Sequence, residues 1–244
     1  MHHSTSIAFA AAATTAIAAG GTLAWAALSP QSQLFGRTLI AGHDPAEVAL
    51  TYDDGPNDAA TMQLLDVLAR HNVRASFFMI GRFVRQRPEL VRAVHAAGHL
   101  VGNHTMTHPW LAWQPTRVVY EELRGCNQAL EDVLGAPIRY LRPPHGARRP
   151  VVLRAARELG LTVVQWNVMG NDWAPIGPDG VFRKVSRGLD ALRERGRTGA
   201  NILLHDGYDQ HMGADRSATV QATDRLLTEL AAKGNRLVTV DAWS

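Results

Sequence analysis

The chain contains 244 residues, 46% of them hydrophobic, which is enough for one large domain or two small ones and excludes a disordered chain. Lysine and arginine number 25 against 22 acidic residues, and this net charge of +3, without any basic run, does not indicate a nucleic-acid partner. The single cysteine, Cys126, excludes an intrachain disulfide and a cysteine-rich zinc site, and its helical spacing from Leu123 and Leu130 predicts a buried core position.

The N-terminal stretch from Ile7 to Leu28 is uncharged and rich in alanine, which suits translocon engagement or a membrane span. Residues 24–26, Ala-Trp-Ala, fit the small-x-small pattern of signal-peptidase sites, but no lysine or arginine precedes the apolar stretch. We therefore expect residues 1–28 to be a cleaved signal peptide or a retained membrane anchor, which places the protein in the cell envelope or outside the cell. A disordered leader without a targeting role is the alternative. Residues 29–46 are predicted to be a tether.

From Glu47 onward, short apolar runs alternate with amphipathic stretches, which is typical of a mostly parallel α/β sheet or barrel. Seven strands are predicted, at Val48–Tyr52, Ala75–Met79, Leu100–Gly102, Ile138–Leu141, Leu161–Gln165, Asn201–Leu204 and Arg236–Val240. Helices are predicted near Ala59–His71, Pro88–Ala97, Thr116–Leu134, Val151–Leu159, Val181–Arg195 and Ala218–Lys233. Since no Gly-, Ser- or Pro-rich linker interrupts residues 47–244, we predict a single domain there.

Acidic, imidazole and guanidinium side chains follow the predicted strands, at the edge where β/α barrels build their active sites. They are Asp53 and Asp54 after the first strand, His104 and His108 after the third, Arg142 after the fourth, Asp172 with Trp173 after the fifth, and His205 with Asp206 after the sixth. We expect these five segments to converge on one rim.

Asp53 and Asp54 are adjacent at the end of an apolar strand. Two neighbouring carboxylates in one cleft ionise together only if a cation is present, so a metal ion or a buried arginine is expected beside them. The alternative is an ordinary turn with solvated side chains.

His104 and His108 are four residues apart, which lets both rings reach one side of a helical turn and bind one divalent ion. A surface turn with incidental histidines is the alternative. His95 and His99 share this spacing, but Gly98 is predicted to end their helix, so we expect them on a solvated face.

Two histidines and one carboxylate leave coordination positions open, which suits the activation of water or a carbonyl, whereas a structural zinc site is closed by a fourth ligand.

Arg142 and His205 each follow a predicted strand directly. Arg142 precedes two prolines that stiffen the chain, which suits the orientation of a carboxylate, although a surface arginine before a Pro-rich turn is the alternative. His205 follows a run apolar enough to be a buried strand, so its ring is expected at the floor or rim of a pocket, with a satisfied core histidine as the alternative.

Together these residues resemble the polysaccharide deacetylase family, the NodB-homology domain of carbohydrate esterase family 4, over about Glu47 to Trp243. The five motif blocks occur in order: Thr51-Tyr52-Asp53-Asp54-Gly55-Pro56, His104-Thr105-Met106-Thr107-His108, Arg142-Pro143-Pro144-His145, Trp166-Asn167-Val168 through Asp172-Trp173, and Leu203-Leu204-His205. His145 stands where the family usually has an aromatic residue, and Met169 stands where an acidic residue is common. The resemblance implies a distorted, incomplete (β/α) barrel.

The resemblance also implies a role for each site residue. Asp54, His104 and His108 would hold the metal, Asp53 would be the general base oriented by Arg142, and His205 would be the general acid supported by Asp172. Trp173 and Leu203 would line the acetyl pocket, and the backbone N–H at His145 would contribute to the oxyanion hole. The implied cofactor is one divalent ion; Zn²⁺ is expected, and Co²⁺ or Ni²⁺ are alternatives because the ligand types accept all three.

The implied activity is hydrolysis of N-acetyl groups, which are linear amides, on an N-acetylglucosamine polymer such as peptidoglycan or a chitin-like polysaccharide. An O-deacetylase of acetylated xylan is the alternative enzyme, since the same apparatus hydrolyses an ester. A catalytically silent carbohydrate-binding relative is expected to have lost Asp53 or His205, and both are present. The polysaccharide is the expected partner, no protein partner is inferred, and membrane contact is expected through residues 7–28 if they are not cleaved.

Overall fold

Eight parallel strands form a single sheet in the computed structural model, which describes residues 21–196 and 199–244. The strands are β1 (Glu47–Gly55), β2 (Ser76–Met79), β3 (Leu100–Asn103), β4 (Tyr140–Leu141), β5 (Thr162–Val163), β6 (Val168–Met169), β7 (Ala200–His205) and β8 (Arg236–Leu237). Their order is β5-β4-β3-β2-β1-β7-β6, and β8 pairs with the amino end of β1. No ladder joins β5 to β6 within the described ranges, so the sheet is a curled half-barrel and the predicted incomplete barrel is confirmed.

All seven predicted strands are present, although β4 starts later than predicted, β8 ends earlier, and β5 is shorter at both ends. The last strand stops at Leu237 because the chain turns into a 3₁₀ helix over Val240–Trp243. β6 was not predicted, since its two residues are too few to give a periodic signal. β1 extends three residues beyond its predicted end at Tyr52, so both adjacent aspartates lie within the strand rather than after it.

Helices follow most strands and cover the outer face of the sheet. They are α1 (Thr61–Arg70), α2 (Gly81–Gln86), α3 (Pro88–Ala96), α4 (Thr116–Leu134), α5 (Pro150–Glu158), α6 (Gly177–Glu194) and α7 (Ser217–Ala232). The range predicted for α4 is confirmed in full, and Cys126 on this helix is buried as expected. The short helix α2 was not predicted. The expectation for His99 was wrong: its ring is buried, and Nδ1 accepts a hydrogen bond from the backbone N–H of Ala75 at 3.1 Å.

The alternation of side chains along β1 separates the core from the site. Val48, Leu50 and Tyr52 belong to the main hydrophobic core beneath the helices, whereas Ala49 packs in a second cluster with Phe78. Successive side chains of a strand point to opposite faces, so Thr51 and Asp53 share the face of Ala49. The sequence of β1 thus directs its polar residues to the inside of the half-barrel.

The N-terminal residues of the described chain pack against the domain. Residues 21–28 are helical, and Leu39 forms a parallel bridge with Val164 beside β5. No helix in residues 21–196 or 199–244 is both long and apolar enough to cross a membrane. Most of the predicted signal or anchor, residues 1–20, lies outside the described residues.

Candidate active site

The carboxyl ends of β1, β3 and β7 meet around a cavity of about 490 Å³. The parallel pairing places Asp53 of β1 directly beside His205 of β7. The lining residues from the predicted segments are Asp53, Asp54, His104, His108, His145, Trp166, Met169, Trp173, Leu203 and His205. The predicted convergence of separate strand ends on one rim is therefore present in the structure.

A bulge in β1 turns two successive aspartates toward the same cavity. In a regular strand the side chains of Asp53 and Asp54 would lie on opposite faces. The register with β2 shifts between Asp53 and Gly55, and Asp54 has a left-handed backbone with φ of 74°. Gly55 allows close approach here, because a Cβ at this position would lie 2.3 Å from the carboxylate of Asp206. This irregularity is what brings both carboxylates into one site.

Asp54, His104 and His108 form a buried cluster with metal-ligand chemistry. Their ligand atoms all lie within 4.8 Å of one another, and Nε2 of His104 and of His108 approach Asp54 Oδ1 at 3.4 and 3.2 Å. The spacing of the two histidines had indicated a helical turn, but they do not lie on one. They lie on an irregular loop after β3, with positive φ at Thr105 and His108, and the Thr105 hydroxyl accepts a hydrogen bond from the His108 backbone N–H.

The donor set fits a divalent ion. Asp54 Oδ1 is buried and has no hydrogen-bond partner among the described residues, so an oxygen lone pair is left for a cation. His104 Nδ1 lies 2.6 Å from the carbonyl oxygen of Arg142 and therefore carries a proton, so Nε2, which faces Asp54, is the ring nitrogen that could bind a metal once it is deprotonated. Burial alone would raise the pKa of Asp54, but the two imidazoles outweigh it and hold that pKa well below its usual range. The Asp54 carboxylate is thus ionised, as a metal ligand must be.

Arg142 is fully buried and holds Asp53 in place. Its Nη1 donates to Asp53 Oδ1 at 2.9 Å and to the Thr51 hydroxyl at 2.6 Å, and its guanidinium lies 4.3 Å from the centre of the Phe78 ring. Nη2 donates to the side-chain oxygen of Asn201 at 3.2 Å. Because these contacts fix one carboxylate oxygen of Asp53, the other remains available to accept a proton.

His205 and Asp172 form a second charge pair across the cavity. Nδ1 of His205 lies 2.8 Å from Asp172 Oδ1, while Asp172 Oδ2 accepts hydrogen bonds from the His205 backbone N–H at 2.8 Å and the Thr219 hydroxyl at 2.7 Å. Burial alone would lower the pKa of His205, but the charge and hydrogen bond of Asp172, with the charges of Asp54 and Asp53, raise it to about 9. The imidazole is therefore protonated at neutral pH.

Aromatic rings contact His145 and His205 at the rim of the cavity. His145 has a φ of 58°, stacks on Trp110 with ring centres 3.8 Å apart, and meets the edge of His108 at 4.8 Å. Burial, together with the charges of His108 and His104, lowers the pKa of His145 to about 4, so its ring is neutral. Trp173 meets His205 edge-on at 5.3 Å and is half exposed at the cavity. His145, which replaces the usual aromatic residue of the family, thus keeps a flat ring at this position.

The cavity also contains residues that sequence reasoning did not identify. Tyr208 and Asp209 follow His205 in the same loop, and the rule that placed His205 at the rim extends to them. Asp209 Oδ2 lies 3.5 Å from His108 Nδ1. Arg216 lines the cavity from the start of α7 and donates to the Gly207 carbonyl at 2.7 Å. Neither Arg216 nor the N-terminal lining residues Leu28 and Pro30 had a motif that pointed to them.

A buried triad with metal-ligand chemistry, between a carboxylate–arginine pair and a histidine–carboxylate pair, is the arrangement that a metal-dependent hydrolytic site requires. Residues 41–164 match the polysaccharide deacetylase family. A chitooligosaccharide deacetylase of Sinorhizobium fredii is 39% identical over 200 residues, which cover 80% of this chain and 90% of that one. The chain belongs to the polysaccharide deacetylase family.

Solved structures agree with this assignment. The Bc1960 peptidoglycan N-acetylglucosamine deacetylase, in complex with an N-hydroxybenzamide compound, superposes with a TM-score of 0.75 at 31% identity, covering 84% of this chain and 91% of that one. A pseudoenzyme of carbohydrate esterase family 4 from Bacillus anthracis superposes with a TM-score of 0.73 at 25% identity, covering 83% and 67%. A named deacetylase and a named pseudoenzyme thus share this fold, so the fold alone does not determine the reaction.

Proposed function

We propose that this protein is a metal-dependent hydrolase that removes N-acetyl groups from an N-acetylglucosamine-containing polysaccharide. The observation that carries this proposal is the position of one ion pair on each side of the metal-ligand triad, a base paired with Arg142 and a protonated histidine paired with Asp172. The names of the relatives support the substrate class, since they include deacetylases of chitooligosaccharides and of peptidoglycan.

The metal ligands would be Asp54, His104 and His108. A divalent ion bound there would polarise the acetyl carbonyl and lower the pKa of a water molecule. Zn²⁺ is our proposal for that ion on the basis of its preference for imidazole and carboxylate ligands, although Co²⁺ or Ni²⁺ suit the same ligand types.

Asp53 acts as the general base. Arg142 holds its Oδ1, so Oδ2 takes a proton from water as the water oxygen bonds to the acetyl carbon. The hydrogen bond from the guanidinium also prevents the Asp53 carboxylate from rotating away from the water molecule. The backbone N–H of His145 is proposed to stabilise the resulting oxyanion.

His205 acts as the general acid. The carbon–nitrogen bond of the tetrahedral intermediate breaks, acetate leaves, and the amine nitrogen receives the proton of His205 Nε2. Because Asp172 occupies Nδ1, Nε2 is the ring nitrogen available for this transfer. Trp173 and Leu203 are proposed to line the acetyl pocket, as both contact the same cavity.

We also propose that the protein works outside the cytoplasm. The polysaccharides named for the relatives include peptidoglycan, a cell-wall polymer, and the uncharged stretch from Ile7 to Leu28 offers a route for export. Fractionation of the full chain in its own cells tests this proposal. We expect the protein in the envelope or secreted fraction, and a wholly cytoplasmic product would overturn it.

Acetate release from a panel of substrates tests the proposed activity. Purified full-length protein is incubated with peptidoglycan, chitin oligomers and acetylated xylan, with and without a chelator. We expect chelator-sensitive release from the two N-acetylated substrates. Release from acetylated xylan alone would assign an O-deacetylase, and release from none in the presence of added Zn²⁺, Co²⁺ or Ni²⁺ would identify a silent relative.

A further inference from the structure

Residues 27–32, which we call the N-terminal strap, are held against the domain beside the catalytic cavity. Ala27 is buried and packs with Ala112 and Ala147, and Phe35 covers this cluster. The backbone N–H of Arg148 donates to the carbonyl of Ala27 at 2.9 Å. The chain that links the predicted signal peptide or membrane anchor to the domain is thus part of the folded structure at this point.

The side chain of Arg148 links the strap to the loop that carries His145. Its guanidinium is almost completely buried, and it donates to the carbonyl oxygens of Gly146 at 3.0 Å, of Pro30 at 3.3 Å and of Ser32. These partners are carbonyl groups rather than a carboxylate. A buried guanidinium is stable only while its N–H groups are paired, so Arg148 requires the strap to stay in place.

The strap also forms part of the wall of the catalytic cavity. Leu28 and Pro30 line the same cavity as Asp53 and His205. The Leu28 side chain remains 38% exposed, so it retains apolar surface that a ligand can cover. Apolar side chains provide most of the contact area in ligand sites, and a pyranose ring presents C–H groups that suit such contacts.

We propose that the strap, clamped by Arg148, is a substrate-binding wall in which Leu28 and Pro30 contact the sugar that carries or adjoins the acetyl group. This inference rests on the proposed deacetylase function and names residues outside the motif blocks. Leu28 and Pro30 are binding residues, and Arg148 is a positioning residue that acts through them. The full catalytic cavity then requires the chain from Ala27 onward.

Binding of an N-acetylglucosamine tetramer tests the wall without relying on turnover. Calorimetric titrations use full-length protein carrying Asp53→Asn, which slows hydrolysis, combined with Leu28→Ala or Leu34→Ala. Leu34 is the matched control, since it is a more exposed leucine at 58% that follows the strap and does not line the cavity. We expect Leu28→Ala to weaken binding by about 3- to 10-fold, as loss of a partly buried leucine contact predicts, and Leu34→Ala to change it less than 2-fold.

The clamp is tested with Arg148→Met and Arg148→Lys. We expect both variants to weaken binding of the tetramer and to increase deuterium exchange of the strap amides. Methionine has no donor, and lysine presents its donors from one nitrogen rather than from the two that hold these carbonyl groups. Equal affinities for the Leu28→Ala and Leu34→Ala proteins would overturn the proposal that the strap binds substrate. Unchanged deuterium exchange in both Arg148 variants would overturn the proposal that Arg148 holds the strap. If binding changes as expected but the protein with an intact Asp53 releases no acetate, the proposed reaction fails and the wall stands.

Discussion

Replacing Asp172 with asparagine tests how the proposed general acid is tuned. The raised pKa of His205, from 6.5 to about 9, corresponds to about 3 kcal/mol of preferential stabilisation of the imidazolium. Asp172 is the principal source, because it supplies both a negative charge and the hydrogen bond to Nδ1. Asparagine removes the charge, and an amide N–H facing Nδ1 favours the imidazole tautomer that carries no proton on Nδ1.

We expect Asp172→Asn to lower kcat on an N-acetylated oligomer by roughly 10²- to 10⁴-fold. A general acid must be protonated, so activity falls as pH rises through its pKa. The basic limb of the pH–kcat profile should therefore move to lower pH in the variant. A bound cation would lower the pKa of His205 in both proteins, so the informative quantity is the displacement between the two profiles.

The same pair predicts a pH dependence of stability. Because the folded-state pKa of His205 is raised, its stabilising contribution is complete below about pH 6.5 and is lost as pH rises through about 9. In the chelated proteins, the difference in the free energy of unfolding between wild type and Asp172→Asn should narrow over this interval. Urea titrations at several pH values measure it.

A second histidine–aspartate pair provides the control. His71 Nε2 lies 2.8 Å from Asp224 Oδ1 on the protein surface, away from the cavity. Asp224→Asn makes the same chemical change without touching the site, so we expect kcat and its pH profile to be unchanged. Wild-type kcat and an unmoved basic limb in Asp172→Asn would refute the assignment of His205 as an acid tuned by Asp172.

Three further outcomes are expected. His205→Ala should lower activity more on an amide than on an activated acetyl ester, whose leaving group needs no proton; equal losses in parallel assays would indicate that His205 only binds or packs. His108→Ala should lose the bound divalent ion with the fold intact, as measured by elemental analysis and circular dichroism, and full retained occupancy would contradict its assignment as a ligand. Arg142→Met should destabilise the protein by about 3–5 kcal/mol in urea unfolding, since it leaves the Asp53 carboxylate buried without its partner; a loss below about 1 kcal/mol would contradict this reading of the pair.

Seven of the eight strands and the residues of the rim could be predicted from the sequence, because both follow from local patterns. An apolar run that ends in polar residues marks the point where a parallel strand leaves the core, and this rule placed Asp53, His104 and His205 correctly around one cavity. The pairing of β1 with β7, whose register sets Asp53 beside His205, was not predicted, because the two strands are far apart in the chain and their pairing leaves no local pattern.

Contacts between distant segments could not be predicted in this way. The bulge at Asp54 lies beside Asp206, which packs against Gly55 from another strand end. The partners of Arg142 include Asn201 on β7, and nothing in the sequence of β7 indicated this contact. The spacing of His104 and His108 indicated a helical turn, whereas the left-handed residues of their loop bring the rings together by a different route. The type of each side chain was informative in these cases, but its partner was set by the tertiary fold.

The charges of the cavity explain why a metal ion and the two proton-transfer groups would occupy different positions in it. Arg142 compensates Asp53, and the protonated His205 compensates Asp172, so each of these carboxylates already has a cationic partner. Asp54 contacts Nε2 of two histidines, and its buried Oδ1 has no hydrogen-bond donor in the described chain. A divalent cation is therefore favoured beside Asp54 rather than beside either proton-transfer pair. Removal of the ion should leave the base and the acid in place, so activity lost to a chelator should return on addition of metal without refolding.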